Sequence, residues 1–593
     1  MPYLVPDLHA VTTTNGFLLA LSLVVPVVGV LLAFFAGGRH VERIAFATMP
    51  LGFAIAAAIL VALWRTHGSL VYLLGGWAPP LGVALRADGL SAVMMMTTAM
   101  VICAVGVFAY ADFRTLGGEA RAPLAFWILL LAIWGALNTV FLGGDLFTLY
   151  VALELLTFAA VPLVCLDGRA ETLQAALRYL LFALFGSALF LVGVTLLYGA
   201  YGTLDIVLLS HRINAEPATL IAAALMTAGL LAKTALFPLH LWLPPAHAGA
   251  PAAASAVLSA LVVKGSFFLV VRLWFDVMPG LPGFAATQLL AALGAAAIVF
   301  GSVVALRQER LKLLIAYSTL AQIGYLFLMF PLAFGSGSAQ LENSGALTAG
   351  ILQAVSHATA KAAMFMAAGL IYTALGHDRI TGLAGVGRVL PMSVIAFALS
   401  GLALIGLPPS GVYLAKGLLL QAAIESEQWW WEVVIQAGAF FTSGYVLLVL
   451  AHALAPADAP ITLRVPISRI REAAALTLAL CSLLLGLVPW GTYLSVPAGT
   501  LSNPLALEAM LSALWPIMGG GVLAILLGRW GHRLARVPLR EVVIAAIGPA
   551  RRAALTFGKM FERADGALRQ WPAAGLSLMV VAIMFGAAML MGR

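Results

Sequence analysis

Four lysines and one glutamate stand in this chain where hydrocarbon would be expected. Lys233 in GLLAKTALFP, Lys264 in SALVVKGSFF, Lys361 in SHATAKAAM and Lys416 in GVYLAKGLLL each lie many residues from a polar loop, as does Glu154 in LYVALELLTF. A charge at the centre of a membrane span costs about 2.5–3.5 kcal/mol on insertion scales, so four buried ammonium groups ask for a use. Static ion pairing would leave three of them unmatched. Amines that alternate between charged and neutral can instead pass protons along a file. His357 lies four residues before Lys361, on the same helix face, with Gln353, Ser356 and Thr359 close by, so that helix carries a polar stripe. The chemistry is that of a proton relay; the competing reading is a set of buried pairs that only lock helices together.

The elements that position these groups are membrane helices. The 593 residues are 63% hydrophobic and 9% charged, with a mean hydropathy of +1.04, which sets the class as a polytopic membrane protein with no soluble domain. Apolar runs of about twenty residues place sixteen spans, centred near residues 26, 54, 100, 132, 156, 187, 227, 263, 295, 321, 360, 405, 443, 480, 518 and 583. Of the 32 basic residues, 23 fall in odd-to-even connections, from Arg39 and Arg43 through Arg169 and Arg310 to the link holding Arg551 and Arg569. That side is expected to be cytoplasmic, with both termini on the other, and the +8 net charge reads as topology rather than nucleic-acid binding. Arg272, near a helix end, is expected to snorkel to the interface. Cys103, Cys165 and Cys481 are too scattered for a disulfide or metal site, and the N-terminus lacks the basic region and cleavage site of a signal peptide.

Two of the spans contain breaks. Pro238 follows Lys233 by five residues in the seventh span, whereas Pro408 and Pro409 precede Lys416 in the twelfth. Proline removes a donor and clashes with the preceding turn, so both helices must be discontinuous. The reversed order of lysine and break, on spans running in opposite directions, suits an inverted repeat of helices 4–8 (residues 122–280) and 9–13 (281–455), after three N-terminal helices (1–121) and before a C-terminal region (456–593). His240 and His247 follow the first break; they are candidates for proton uptake, or they only decorate its cytoplasmic end.

As an ordered set, GGWAPPLGVALRADGLSAV, LYVALELLTF, AKTALFPLHLWLPPAHAGAPAAASAVLSALVVKG, LKLLIAYSTLAQIGY, AVSHATAKAAMFMAAG and GLPPSGVYLAKGLLLQA resemble the antiporter-like membrane subunits shared by respiratory complex I, Mrp-type cation/proton antiporters and membrane-bound hydrogenases. The resemblance spans about residues 70–455. It implies a 14-helix all-α core and, matched by motif, a translocation file of Glu154, Lys233, Lys264, His357, Lys361 and Lys416, in which the proton state of Glu154 holds or releases Lys233. Lysine at the last position is similar to the Mrp D-type and hydrogenase-type members. Gln353 stands where many relatives carry a second histidine, and Pro245 where an acid often follows WLP.

The resemblance further implies other membrane subunits as partners, protons and Na⁺ or K⁺ as cargo, and a bacterial plasma membrane. No cofactor or metal is expected, since only His357 among the histidines is deep and no nucleophile–base pair or ligand spacing supports an enzyme or haem protein. A redox-driven pump of the complex I or hydrogenase kind stays open beside the antiporter. Beyond residue 470 two further spans frame a basic link, 529–570, expected to lie amphipathically on the membrane surface, interrupted at Gly548 and Pro549. It would be a strap against a partner or a plain surface helix.

Overall fold

The computed structural model describes residues 11–66, 68–114, 121–281, 283–334, 343–457, 461–494, 504–527 and 540–591. Both termini and link residues 529–539 lie outside the described residues. Among the described residues, fifteen helices are long and apolar enough to cross a membrane, from Phe17–Ala36 to Trp571–Met591. The sixteenth expected span is the twelfth, divided into Pro391–Ile405 and Gly411–Glu425. Between the second span (His40–Thr66) and the third (Gly89–Ala109), a short antiparallel pair, Leu70–Leu73 with Ala84–Ala87, caps the bundle, Leu70 facing Ala87.

Burial is uneven across the bundle. The core of the eighth span (Ala252–Val277) is wholly buried and that of the tenth (Leu311–Phe334) is 94% buried, whereas the fifteenth (Leu507–Leu527) and sixteenth (Trp571–Met591) are 22% buried. Lipid-facing helices can show hydrocarbon all round; the central ones must satisfy any polar group within the protein. The eighth span departs from regular α geometry twice, through π segments at Leu258–Val262 and Leu273–Val277. Such segments recur at functional sites.

Two pairs of glycines let neighbouring spans meet closely. A Cβ on Gly229 of the seventh span (Pro217–Thr234) would lie 2.2 Å from the Gly186 carbonyl of the sixth (Ala170–Tyr201), and one on Gly324 would lie 2.3 Å from the Gly294 carbonyl of the ninth (Phe284–Arg307). Small residues let membrane helices meet backbone to backbone, where lipid offers no hydrophobic drive.

The breaks begin earlier than the prolines themselves. The seventh span ends at Thr234 and the first half of the twelfth at Ile405, each four residues before a proline, Pro238 and Pro409. That offset is where a proline withholds its N–H and pushes on a carbonyl. Ala235 then turns the chain with φ 60°, and Trp242 Nε1 donates to the Ala232 carbonyl at 2.9 Å, so an orphaned helix end is satisfied by a side chain.

Arg272 does not snorkel. It is buried, with its guanidinium bonded to Asp88 at 2.6 and 2.7 Å, to Asp276 at 2.7 Å and to the Ser91 hydroxyl at 3.0 Å. The deep acids are correspondingly more numerous than Glu154 alone, and include Asp88, Asp205 and Asp276. Two carboxylates and a hydroxyl around one planar fork satisfy it better than the interface would.

The C-terminal helix Arg540–Leu568 runs unbroken through Pro549. Pro549 is exposed, and on a surface helix water can take the carbonyl that the proline leaves free. Near its end the helix is not merely superficial: Phe561 packs on Phe300 with ring centroids 5.5 Å apart, and Arg307 pairs with Glu562 at 3.3 Å.

Candidate functional site

Glu154, on the fifth span (Leu146–Val164), and Lys233 meet with Nζ and Oε1 3.1 Å apart. Lys233 Nζ also donates to Thr157 Oγ1 at 2.9 Å and to the Leu153 carbonyl at 3.2 Å, while the Ser187 hydroxyl donates to Glu154. Lys233 sits in the last turn before the break, where the carbonyl end of a helix favours a cation. When Glu154 takes up a proton, the ammonium keeps only neutral acceptors, so a proton on one group weakens the hold on the other.

Beside this pair, Thr234 Oγ1 and Ser266 Oγ bridge the seventh and eighth spans at 3.0 Å. Lys264, with no exposed surface, donates to the Ser259 carbonyl of the π segment at 2.6 Å and touches His357 Nδ1 on the eleventh span (Ser344–Leu375). An ammonium has no lone pair, so in this contact either the lysine is the donor to a neutral ring or the ring N–H donates to a neutral amine. Each direction differs from the other by one proton shift. Lys361, one helical turn after His357, donates to Ser318 Oγ at 2.5 Å on the tenth span.

From Lys361 to Lys416 the connection is neutral. Ser318, Gln322 and Tyr325 lie at positions i, i+4 and i+7 of the tenth span, one face of a helix. Gln322 accepts from the Gln353 amide at 2.9 Å and donates to Thr442 at 3.1 Å and towards the Tyr445 hydroxyl at 3.4 Å. Tyr325 lies under Lys416, whose Nζ is 5.0 Å from the ring centroid and donates at 2.9 Å to the Ile405 carbonyl. That carbonyl is the one Pro409 leaves without its usual partner, so the break supplies the lysine's acceptor. Ser318, Gln322 and Tyr325 carry no charge, and the sequence signal for them is the polar spacing in YSTLAQIGY. Lys416 also borders a cavity of about 340 Å³ walled in part by Trp515 of the fifteenth span.

His240 and His247 are both fully buried. The proline-rich stretch that holds them folds back into the bundle. His247 stacks on Phe365, with centroids 4.7 Å apart, and its neighbours Pro245, Ala248 and Gly249 line a cavity of about 600 Å³ on the basic side. That cavity also holds Asp167, Arg169, Arg310, Lys312 and Arg569. Outside the spans, burial would raise the Asp167 carboxyl, but Thr172 and Arg169 bind it and together keep it below the usual carboxylate range. Among the described residues no group of histidine, cysteine, aspartate and glutamate is placed to hold a metal ion.

Residues 143–442 match the family described as NADH:quinone oxidoreductase/Mrp antiporter, TM. The chain is 33% identical over 386 residues to the N subunit of the NADH-quinone oxidoreductase of Desulforudis audaxviator, covering 64% of this chain and 75% of the relative. To the D subunit of the Na(+)/H(+) antiporter of Alkalihalophilus pseudofirmus it is 30% identical over 422 residues, or 70% and 82% of the two chains. Its fold matches a chain in the structure of the Mrp complex from a Dietzia species with a TM-score of 0.71 at 22% identity, covering 86% of this chain and 98% of that one. With more than half its length inside the family match and the fold alongside it, this multi-pass membrane protein belongs to the NADH:quinone oxidoreductase/Mrp antiporter family.

Proposed function

We propose that this chain is a proton-translocating subunit of a multisubunit monovalent cation/proton antiporter, and that protons move through Glu154, Lys233, Lys264, His357, Lys361 and Lys416. The single observation that carries the reading is the contact of Lys264 with His357, which joins the eighth span to the eleventh at full burial. It links the five-helix unit 122–280 to the unit 281–455, so the Glu154–Lys233 pair and the Lys361–Lys416 stretch belong to one file. Glu154 acts as the gate: anionic it retains Lys233, and protonated it releases the lysine to pass charge inward. Ser318, Gln322 and Tyr325 order the neutral stretch before Lys416.

The partners are further membrane subunits, the cargo is protons with Na⁺ or K⁺, and the setting is a bacterial plasma membrane with the basic side cytoplasmic and both termini opposite. The distribution of arginine and lysine supports that orientation. The test is ion transport by the assembled complex in membrane vesicles. Lys233→Ala and Lys416→Ala each reduce proton movement at least tenfold; wild-type rates in both variants would sink the relay.

A second reading, the same proton module driven by redox chemistry in another chain of the complex, is favoured by the 33% identity to the N subunit of an NADH-quinone oxidoreductase. Proton movement driven by a Na⁺ or K⁺ gradient alone supports the antiporter. Movement only on addition of an electron donor supports the redox pump.

A further inference from the structure

The translocation file leaves unused a buried cluster contributed by the C-terminal helix. Asp565, three residues before the end of Arg540–Leu568, is 6% exposed although the helix around it is basic and largely surface-lying. Its Oδ1 is 3.2 Å from His240 Nε2 in the break of the seventh span, and its Oδ2 accepts from the Tyr317 hydroxyl at 2.6 Å on the tenth. Arg569 pairs with Oδ2 at 2.8 Å, touches the Tyr317 hydroxyl, and lines the basic-side cavity. His240 is otherwise enclosed by apolar rings, with Phe237 at 5.6 Å and Phe300 at 5.3 Å between centroids. The charged and titratable groups acting on it are therefore Asp565 and Arg569 from the C-terminal segment, with the Tyr317 hydroxyl bound to the same carboxylate.

We propose that Asp565 and His240 form a carboxylate–imidazole pair through which the C-terminal helix sets proton uptake at the broken seventh span; this rests on the translocation reading above. A carboxylate has only acceptors, so His240 must present Nε2–H to it, and Nδ1 becomes the nitrogen that gains and loses the proton. Uptake adds one proton, carried in by water, to the buried and otherwise unpartnered Nδ1 lone pair, and release restores that lone pair. Asp565 keeps its charge throughout and acts as a positioning residue, fixing the ring and stabilising its cationic form. Burial alone would raise the Asp565 carboxyl, but the hydrogen bond from His240, the Arg569 charge and the Tyr317 hydroxyl hold it below its ordinary value. It is accordingly ionised across the working range. Because its partners come from the break of the seventh span, the tenth span and its own segment, the carboxylate also ties the helix Arg540–Leu568 to both spans.

The experiment is the pH dependence of proton uptake by the assembled complex in vesicles, with the amount of complex measured in parallel. Asp565→Asn keeps the size but removes the charge, so the pH of half-maximal uptake moves towards acid by about one unit. Asp565→Glu restores the wild-type profile. A profile for Asp565→Asn that superimposes on wild type, at whatever abundance, overturns the proposal, because a merely structural contact changes the amount of complex and not its titration. If Asp565→Asn complex is not recovered, His240→Gln decides: loss of the same titrating limb supports the pair, and an unchanged limb overturns it. Lys233→Ala separates the two levels. If it abolishes uptake while Asp565→Asn leaves the profile in place, only the pair fails; if Lys233→Ala transports normally, the translocation reading fails first.

Discussion

Lys264 and His357, 93 residues apart in sequence, touch through Nζ and Nδ1 at the point where the eighth and eleventh spans pack, and neither has any exposed surface. Groups that act as one unit do not lose activity additively. Lys264→Ala and His357→Ala are each expected to slow proton transport more than tenfold, and the double variant is expected to be no slower than the worse single one. Transport rates in vesicles across the four-member cycle check this; multiplied losses would show that the two act separately.

The neutral stretch before Lys416 has its own signature. Gln322→Leu removes the acceptor of the Gln353 amide and leaves a buried donor unpaired, at about 1–3 kcal/mol. The expected result is folded complex in reduced amount and a transport rate per complex lowered about tenfold. Ser318→Ala, which takes away the Lys361 partner, is expected to lower the rate similarly. Rates normalised to complex abundance make the comparison.

The cluster around Arg272 is a stability element and not part of the file. Removing one partner from a buried ion cluster typically costs about 3–5 kcal/mol. Arg272→Met is therefore expected to abolish recovery of folded protein, whereas Lys233→Ala leaves it in place. Thermal unfolding of detergent-solubilised complex, or its failure to accumulate, distinguishes the two.

Docking of the helix Arg540–Leu568 is expected to keep the Asp565 contribution through the neutral and mildly acidic range, and to strengthen where His240 takes up its proton. Asp565 binds its proton less readily in the folded chain than its ordinary value of 3.8 implies, so its contribution is full above that value and is lost as pH falls below it. Hydrogen-exchange protection of residues 548–568 should be no lower at pH 5 than at pH 8, and higher once His240 has taken up its proton. Asp565→Asn should lose protection several-fold at both.

The six ionisable positions and the sixteen spans were legible because each is a strong local signal: a charge inside twenty apolar residues, or the apolar run itself. The prolines were equally readable, and physics placed the consequence four residues upstream, at Thr234 and Ile405. What was not legible depends on partners distant in sequence. Arg272 looked free because Asp88 lies 184 residues away at a helix start. His240 and His247 follow a proline break and so look like loop residues, and the carboxylate bound to His240 comes from 325 residues downstream. Ser318, Gln322 and Tyr325 escaped notice because neutral polar groups barely disturb hydropathy.

The glycine contacts bear on how the transporter can move. At Gly229 against Gly186, and at Gly324 against Gly294, the helices already touch through their backbones, with no side-chain layer to act as a lubricant. Those seams hold the helix bearing Lys233 and the helix bearing Ser318, Gln322 and Tyr325 to fixed neighbours. Both seams lie inside a single five-helix unit, the first within residues 122–280 and the second within 281–455, so sliding the helices of one unit past each other would have to part these backbones. In the proposed relay, charge then moves inside each unit by rotating side chains and shifting protons, closer to a row of switches than to a hinged gate.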